Sequence, residues 1–191
     1  MKKPSCHYDI ELDRFADYKM EFIHERDKRN FESREKWFYV GADLYHKNRV
    51  KVGITMGDLG SRSYSSGNPD YFLFCAFKCQ DDISKEELRA IEKDVLERLD
   101  KTHVDDDGVC QRMMHAESQY PSEWYSGVDF QDFVIHVHWL LFKYHRRFFI
   151  VIGLESHWDN EEDLLDCIFN ERYTKQQQQQ YRELFLVNRN V

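Results

Sequence analysis

Three side chains in this sequence, Tyr39, Arg62 and Glu92, have the types and the order needed to act on a phosphodiester. A tyrosine hydroxyl can orient or deprotonate an attacking water, and a guanidinium can grip two phosphate oxygens at once. A carboxylate can hold a divalent cation that neutralises phosphate charge and helps the leaving oxygen depart. Tyr39 lies in an apolar run, WFYVG, and a basic loop leads from it to a second run, Arg49-Val50-Lys51-Val52-Gly53-Ile54-Thr55. Arg62 follows, beyond the segment MGDLGS.

Glu92 is distinguished by its place. With Leu88 as zero and about 100° per residue, Ile91, Val95 and Leu99 fall at about −60°, −20° and +20°, and Glu92 falls at about +40°. It therefore lies within the apolar face of its helix. A carboxylate there has to be paired, protonated or metal-bound, because burying a bare charge is costly. An ion pair with a nearby Arg or Lys and a metal-holding role both meet that requirement.

The elements that must position these groups are legible in outline. Residues 37–41 and 49–55 read as an antiparallel hairpin, and the nearly uncharged run YFLFCAFK, residues 71–78, as a third, buried strand. Ser84 and Glu87 have capping-box spacing and open a helix to about Lys101, with Leu88, Ile91, Val95 and Leu99 on its buried face. Asp58 is placed to cap a short helix carrying Arg62, which SSGNP ends. Upstream, Leu12, Phe15, Tyr18 and Phe22 recur at helical spacing, so residues 11–32 read as one or two surface helices. Downstream come an irregular acidic segment over 102–120, the turn-like PSEWYSG, an aromatic helix over 130–144, a strand within 148–154, and a helix over the final acidic and glutamine-rich stretch that includes 176–180. The expected fold is α+β: a small antiparallel three-stranded sheet flanked by helices. Its core spans residues 37–126, with a helical N-terminal extension over 1–36 and an aromatic, helical C-terminal extension over 127–191.

Composition narrows the classes. The 191 residues are 41% hydrophobic and include 14 Phe, 11 Tyr and 4 Trp, enough large apolar surface for a packed core. No run approaches the ~20 apolar residues that span a bilayer, and the start turns acidic where a signal peptide needs an apolar stretch, so an intracellular protein with no membrane partner is expected. The net charge of −8 argues against a surface that coats long nucleic acids, but His46, Lys47, Arg49 and Lys51 make a local basic patch. Cys75, Cys79, Cys110 and His115 can be drawn as a zinc site, yet Cys75 and Cys79 fall in or beside the apolar third strand, which favours core packing. His136 and His138 would point about 200° apart on a helix and cannot share a metal.

Taken in order, a hairpin bearing Tyr39 and Gly53, Arg62, a third strand and a helix with the inward Glu92 resembles the GIY-YIG nuclease superfamily, over residues 37 to 126. The element Lys51-Val52-Gly53-Ile54-Thr55, with Glu123-Trp124-Tyr125 after the helix, is similar to the branch of that superfamily common in phages and large DNA viruses. The resemblance implies a metal-dependent endonuclease acting on DNA, with one Mg²⁺ or Mn²⁺ on Glu92. Tyr39 would act as base or align the water, and Arg62 would steady the phosphate. His46, Lys47, Arg49, Gly53 and Thr55 would contact the substrate. Glu123 reads first as an anchor of its local turn and second as a further metal ligand. A phenol with an ordinary pKa near 10 is a poor base at neutral pH, so Lys51 is given the role of lowering it electrostatically.

Two departures stand out. Trp37-Phe38-Tyr39 keeps only the tyrosine of the first half-motif, and Lys51 replaces the tyrosine of the second. With the acidic balance, they favour a rival reading: the same fold as a nucleic-acid-binding or protein-interaction module that hydrolyses nothing. A further rival gives the aromatic segment 128–154 a protein partner. Metal-dependent nicking that disappears with Glu92 separates the first reading from both rivals.

Overall fold

The computed structural model describes residues 35–57, 59, 68–155 and 161–187. The helices expected within 11–32 and the short helix carrying Arg62 lie outside the described residues.

Strands β1 (Trp37–Asp43), β2 (Arg49–Thr55) and β3 (Tyr71–Lys78) form the centre of an antiparallel sheet, with β1 between the other two. All seven residues of β1 are buried because both of its faces are covered. Phe38 and Val40, with Val50 and Val52 of β2, face the main core, while Trp37 and Tyr39 join Tyr71, Leu73 and Ala76 in a second apolar layer. Alternation of side chains along each strand produces this division.

The helix α1 (Lys85–Thr102) starts where Ser84 and Glu87 indicated. The Glu87 N–H donates to Ser84 Oγ at 3.1 Å, and the Ser84 N–H donates to the Glu87 carboxylate at 2.8 Å. Leu88, Ile91, Val95, Leu96 and Leu99 are buried against the sheet and the next helix. That next helix, α2 (Phe130–His145), matches the aromatic helix expected there and is capped by Asp129. Its His136 ring meets His103 at 3.1 Å while His138 stacks on Phe185 at 4.4 Å, so the two histidines do diverge. Cys75, Cys79 and Cys167 are buried, and Cys110 is exposed.

The sheet is larger than three strands. Three more, β4 (Arg112–Met114), β5 (Pro121–Ser126) and β8 (Cys167–Phe169), extend the expected core on both sides, giving the order β4-β5-β2-β1-β3-β8. The stretch PSEWYSG carries turn residues at its ends, but Trp124 pairs with Lys51 and Tyr125 with Val50, and Tyr125 is fully buried. Burial of that aromatic ring outweighs the local turn signal. Similarly, the acidic stretch before the glutamine helix folds into β7 (Glu161–Leu165) and β8. The strand expected within 148–154 is β6 (Val151–Glu155), which follows a 3₁₀ turn (Arg146–Phe148) and pairs with β7 apart from the main sheet. The last helix, α3 (Lys175–Val187), contains the glutamine run.

The expected boundary near residue 126 falls between β5 and α2, and both sides contribute to one core. The Phe74 ring of β3 is met edge-on by Phe130, Phe169, Tyr173 and Tyr181, with centroids 4.9 to 5.6 Å away. No helix among the described residues is long and apolar enough to cross a membrane.

The turn between β1 and β2 is held by a buried carboxylate. Asp43 accepts from the N–H groups of Tyr45 and His46 and from the Asn68 side-chain amide, at 2.9 to 3.1 Å. Burial alone would raise its pKa, but these hydrogen bonds outweigh it and hold the carboxyl at about 2. Because the folded pKa lies below the unfolded one, the stabilisation is present above pH ~4 and is lost as pH falls toward ~2. It amounts to roughly 2 kcal/mol. Chemical denaturation against pH should show that loss in the wild type and a flatter acid limb in Asp43→Asn.

Candidate active site

The pairing of β1 with β2 sets Tyr39 opposite Gly53 and Gly41 opposite Lys51, so all four residues share one face of the sheet. The Tyr39 side chain crosses directly over Gly53. A Cβ built there would stand 2.6 Å from the Tyr39 hydroxyl oxygen, so only glycine leaves that hydroxyl its place. Gly41 is covered in the same way by the Tyr71 ring, at the point where the register of β1 against β3 shifts. Gly53 thus seats Tyr39.

At the rim of this face, where α1 passes the end of β2, an open cleft of about 470 Å³ is lined by Tyr39, Lys51, Thr55, Glu92 and Glu123, together with Ile54, Met56, Lys85 and Arg89. Tyr39 is 4% exposed, so its ring is held while its edge reaches the cleft. Glu92 is half-buried there, with its neighbour Ile91 turned into the core. Its position on the helix wheel is inside the apolar stripe, between Leu99 and Leu96, yet the residue lines the cleft and is not sealed in the middle of the core.

Glu123 departs from its expected role as a turn anchor. It lies within β5, and its carboxylate accepts from the Lys51 ammonium at 3.1 Å. Lys51 is 18% exposed and also stands 5.9 Å from the Tyr71 ring centre. Part of its charge is therefore committed to Glu123 before it can act on Tyr39.

Of the predicted substrate contacts, Thr55 is buried beside the cleft and Gly53 lies beneath Tyr39. His46, Lys47 and Arg49 sit at the far end of the hairpin and are not among the described residues lining the cleft. The His46 ring is instead bonded to Asp43 at 3.1 Å. Arg62 lies outside the described residues.

Two lining cations, Lys85 and Arg89, were not singled out from the sequence. The signal was available: they precede Glu92 by seven and three residues, the spacing that puts side chains on one face of a helix.

The donor set suits a hard divalent cation. Mg²⁺ takes oxygen ligands and is commonly held by one or two carboxylates plus waters and substrate phosphate. Glu92 and Glu123 on one cleft fit that pattern, whereas no group of three His, Cys, Asp or Glu among the described residues could form an all-protein cage. No protein-family model, curated protein or solved structure matches the chain.

Proposed function

We propose that the protein is a metal-dependent endonuclease of the GIY-YIG type that hydrolyses DNA phosphodiester bonds. The observation carrying this reading is the convergence of Tyr39, Lys51, Glu92 and Glu123, from two adjacent strands, a helix and a third strand, on one open cleft. Residues 39 and 92 are far apart in the chain, and a purely structural tyrosine and glutamate have no need to meet at a solvent-filled rim.

Mg²⁺ or Mn²⁺, when bound, supplies neutralisation of phosphate charge and stabilises the departing oxygen. The chain's own groups do the rest. Glu92 provides the fixed carboxylate, half-buried so that few waters compete with it. Tyr39, seated over Gly53, orients the attacking water through its hydroxyl and, in the phenolate form that Lys51 favours, receives the water's proton to return to the phenol. Lys51 holds Glu123 at the cleft wall and places positive charge beside the phenol. Arg62 remains the assigned guanidinium for the phosphate.

Supercoiled plasmid and branched or single-stranded DNA, incubated with Mg²⁺ or Mn²⁺ beside a Glu92→Ala control, test the reading. Nicking that requires both metal and Glu92 is the expected result. One observation favours a binding-only module: the Lys51–Glu123 pair already engages the second carboxylate. Metal-independent retention of DNA by both proteins, with no nicking, would establish that alternative. The role of Lys51 has its own measurement. Lys51→Met should move the rising, low-pH limb of the pH–rate profile to higher pH, and an unmoved profile would remove Lys51 from the mechanism.

A further inference from the structure

The cleft carries more positive charge than the proposed chemistry uses. Among the described residues lining it, Lys51, Lys85 and Arg89 face two carboxylates, in a chain whose net charge is −8. The cations on α1 are not equivalent. Lys93 pairs with Glu97 one turn away, and Arg98 pairs with Asp94 at 2.8 Å. Lys85 and Arg89 are exposed, and among the described residues neither has an ion pair or a side-chain hydrogen bond. Two long cations pointing into a cleft without carboxylate partners are costly to gather unless an anion occupies it.

Their placement defines what kind of anion. Counting about 100° per residue, Lys85 and Arg89 lie about 40° apart and straddle no other face, with Glu92 within about 60° of both. Along the axis Arg89 stands about 4.5 Å and Lys85 about 10.5 Å from Glu92, toward the N-terminus of the helix. Glu87 is turned about 160° from both cations, and Glu86, about 100° from Lys85 and about 60° from Arg89 on the side away from Glu92, is not among the described residues lining the cleft. Glu87 is moreover held by the cap. A row of two cations leading to a metal-holding carboxylate matches a polyanionic chain with regularly spaced charges, not a single free phosphate.

We propose that Arg89 and Lys85 grip consecutive backbone phosphates beside the scissile one, so that the cut DNA strand runs along the N-terminal half of α1. This inference rests on the nuclease reading of the same cleft. Both contacts are to the backbone and carry no sequence information. The track covers only a few nucleotides, in keeping with the acidic character of the chain as a whole.

The test uses the full chain carrying Glu92→Gln, without metal, and a fluorescently labelled DNA strand whose anisotropy is followed across a salt series. Adding Lys85→Gln or Arg89→Gln should weaken binding on the order of tenfold at low salt and flatten the plot of log affinity against log salt by about 0.7 to 0.9 per substitution. The double substitution should lose about twice that slope, Arg89→Lys should retain it, and Lys93→Gln should change nothing. In the Glu92 background, the same two glutamine substitutions should raise KM for nicking with kcat changed by less than about threefold, as loss of uniform binding requires. An unchanged slope together with an unchanged KM, in a protein that nicks DNA, overturns the phosphate track and leaves the nuclease reading intact. A wild-type protein that neither binds nor nicks DNA overturns both.

Discussion

Glu92→Gln should lower metal-dependent nicking by about 10²–10³-fold while leaving thermal melting within a degree or two of wild type. The substitution preserves shape and removes charge, so it separates the carboxylate's chemistry from its packing. Glu92 is half-buried within a stripe whose stability comes from Leu88, Ile91, Val95, Leu96 and Leu99, all of which remain. The neutral amide is a weak ligand for Mg²⁺, whose affinity depends on charged oxygen donors. Metal-free DNA affinity should move the opposite way and rise slightly, because a negative charge facing the phosphate has gone. A general unfolding defect would lower both quantities together. Wild-type nicking by the glutamine variant would eliminate Glu92 as the metal-holding group.

The second large effect comes from a residue with no side chain. Gly53→Ala places a methyl carbon 2.6 Å from the Tyr39 hydroxyl oxygen and 2.7 Å from its Cζ, closer than any real contact. Tyr39 is packed with Trp37, Tyr71 and Leu73, so its ring can yield only by shifting as a body. A catalytic group misplaced by about 1 Å can lose about 10²-fold in rate, and that is the loss expected here. Overpacking should also cost about 1–3 kcal/mol of stability, readable by denaturant titration. Tyr39→Phe should reduce the rate by a similar factor, about 10²-fold, without that structural cost. The double variant should be hardly slower than either single one, since both changes remove the same hydroxyl from its place. Fully multiplicative losses would mean that Gly53 acts through something other than Tyr39.

How much of this was legible in the sequence depends on the range of the interactions. The three central strands and α1 announced themselves through alternation, helical spacing and a capping box, all of which are local. Glu92 was found because a charge interrupting an apolar stripe is itself a local anomaly. The outer strands were not legible. In β5 the pairing of Tyr125 with Val50 and of Trp124 with Lys51 joins segments more than 70 residues apart, and nothing nearby in sequence encodes it. The acidic residues that begin β7 and precede β8 likewise resemble a solvated helix until Leu164, Leu165 and Cys167 find the core. At the site, convergence of Lys85 and Arg89 with Tyr39 depended on where α1 passes β2, which is also a long-range fact. The basic hairpin loop drew attention by density of charge, but the strand length separates it from the cleft.

Among the described residues, the main sheet ends on each side in a strand of three residues, β4 and β8. An edge strand offers unpaired N–H and C=O groups to any passing chain, and its danger grows with its length. Here the longer, largely apolar strands lie inside, and each border exposes too little backbone to template addition of another chain. In β4, Arg112 is further tied to Asp100 at 2.9 Å, which sets a fixed charge at that border. A protein this rich in aromatic strands therefore guards against aggregation at the margins of the sheet. Lengthening either border, for example by replacing the residues that follow Met114 with an alternating apolar run, should promote self-association before it alters the cleft.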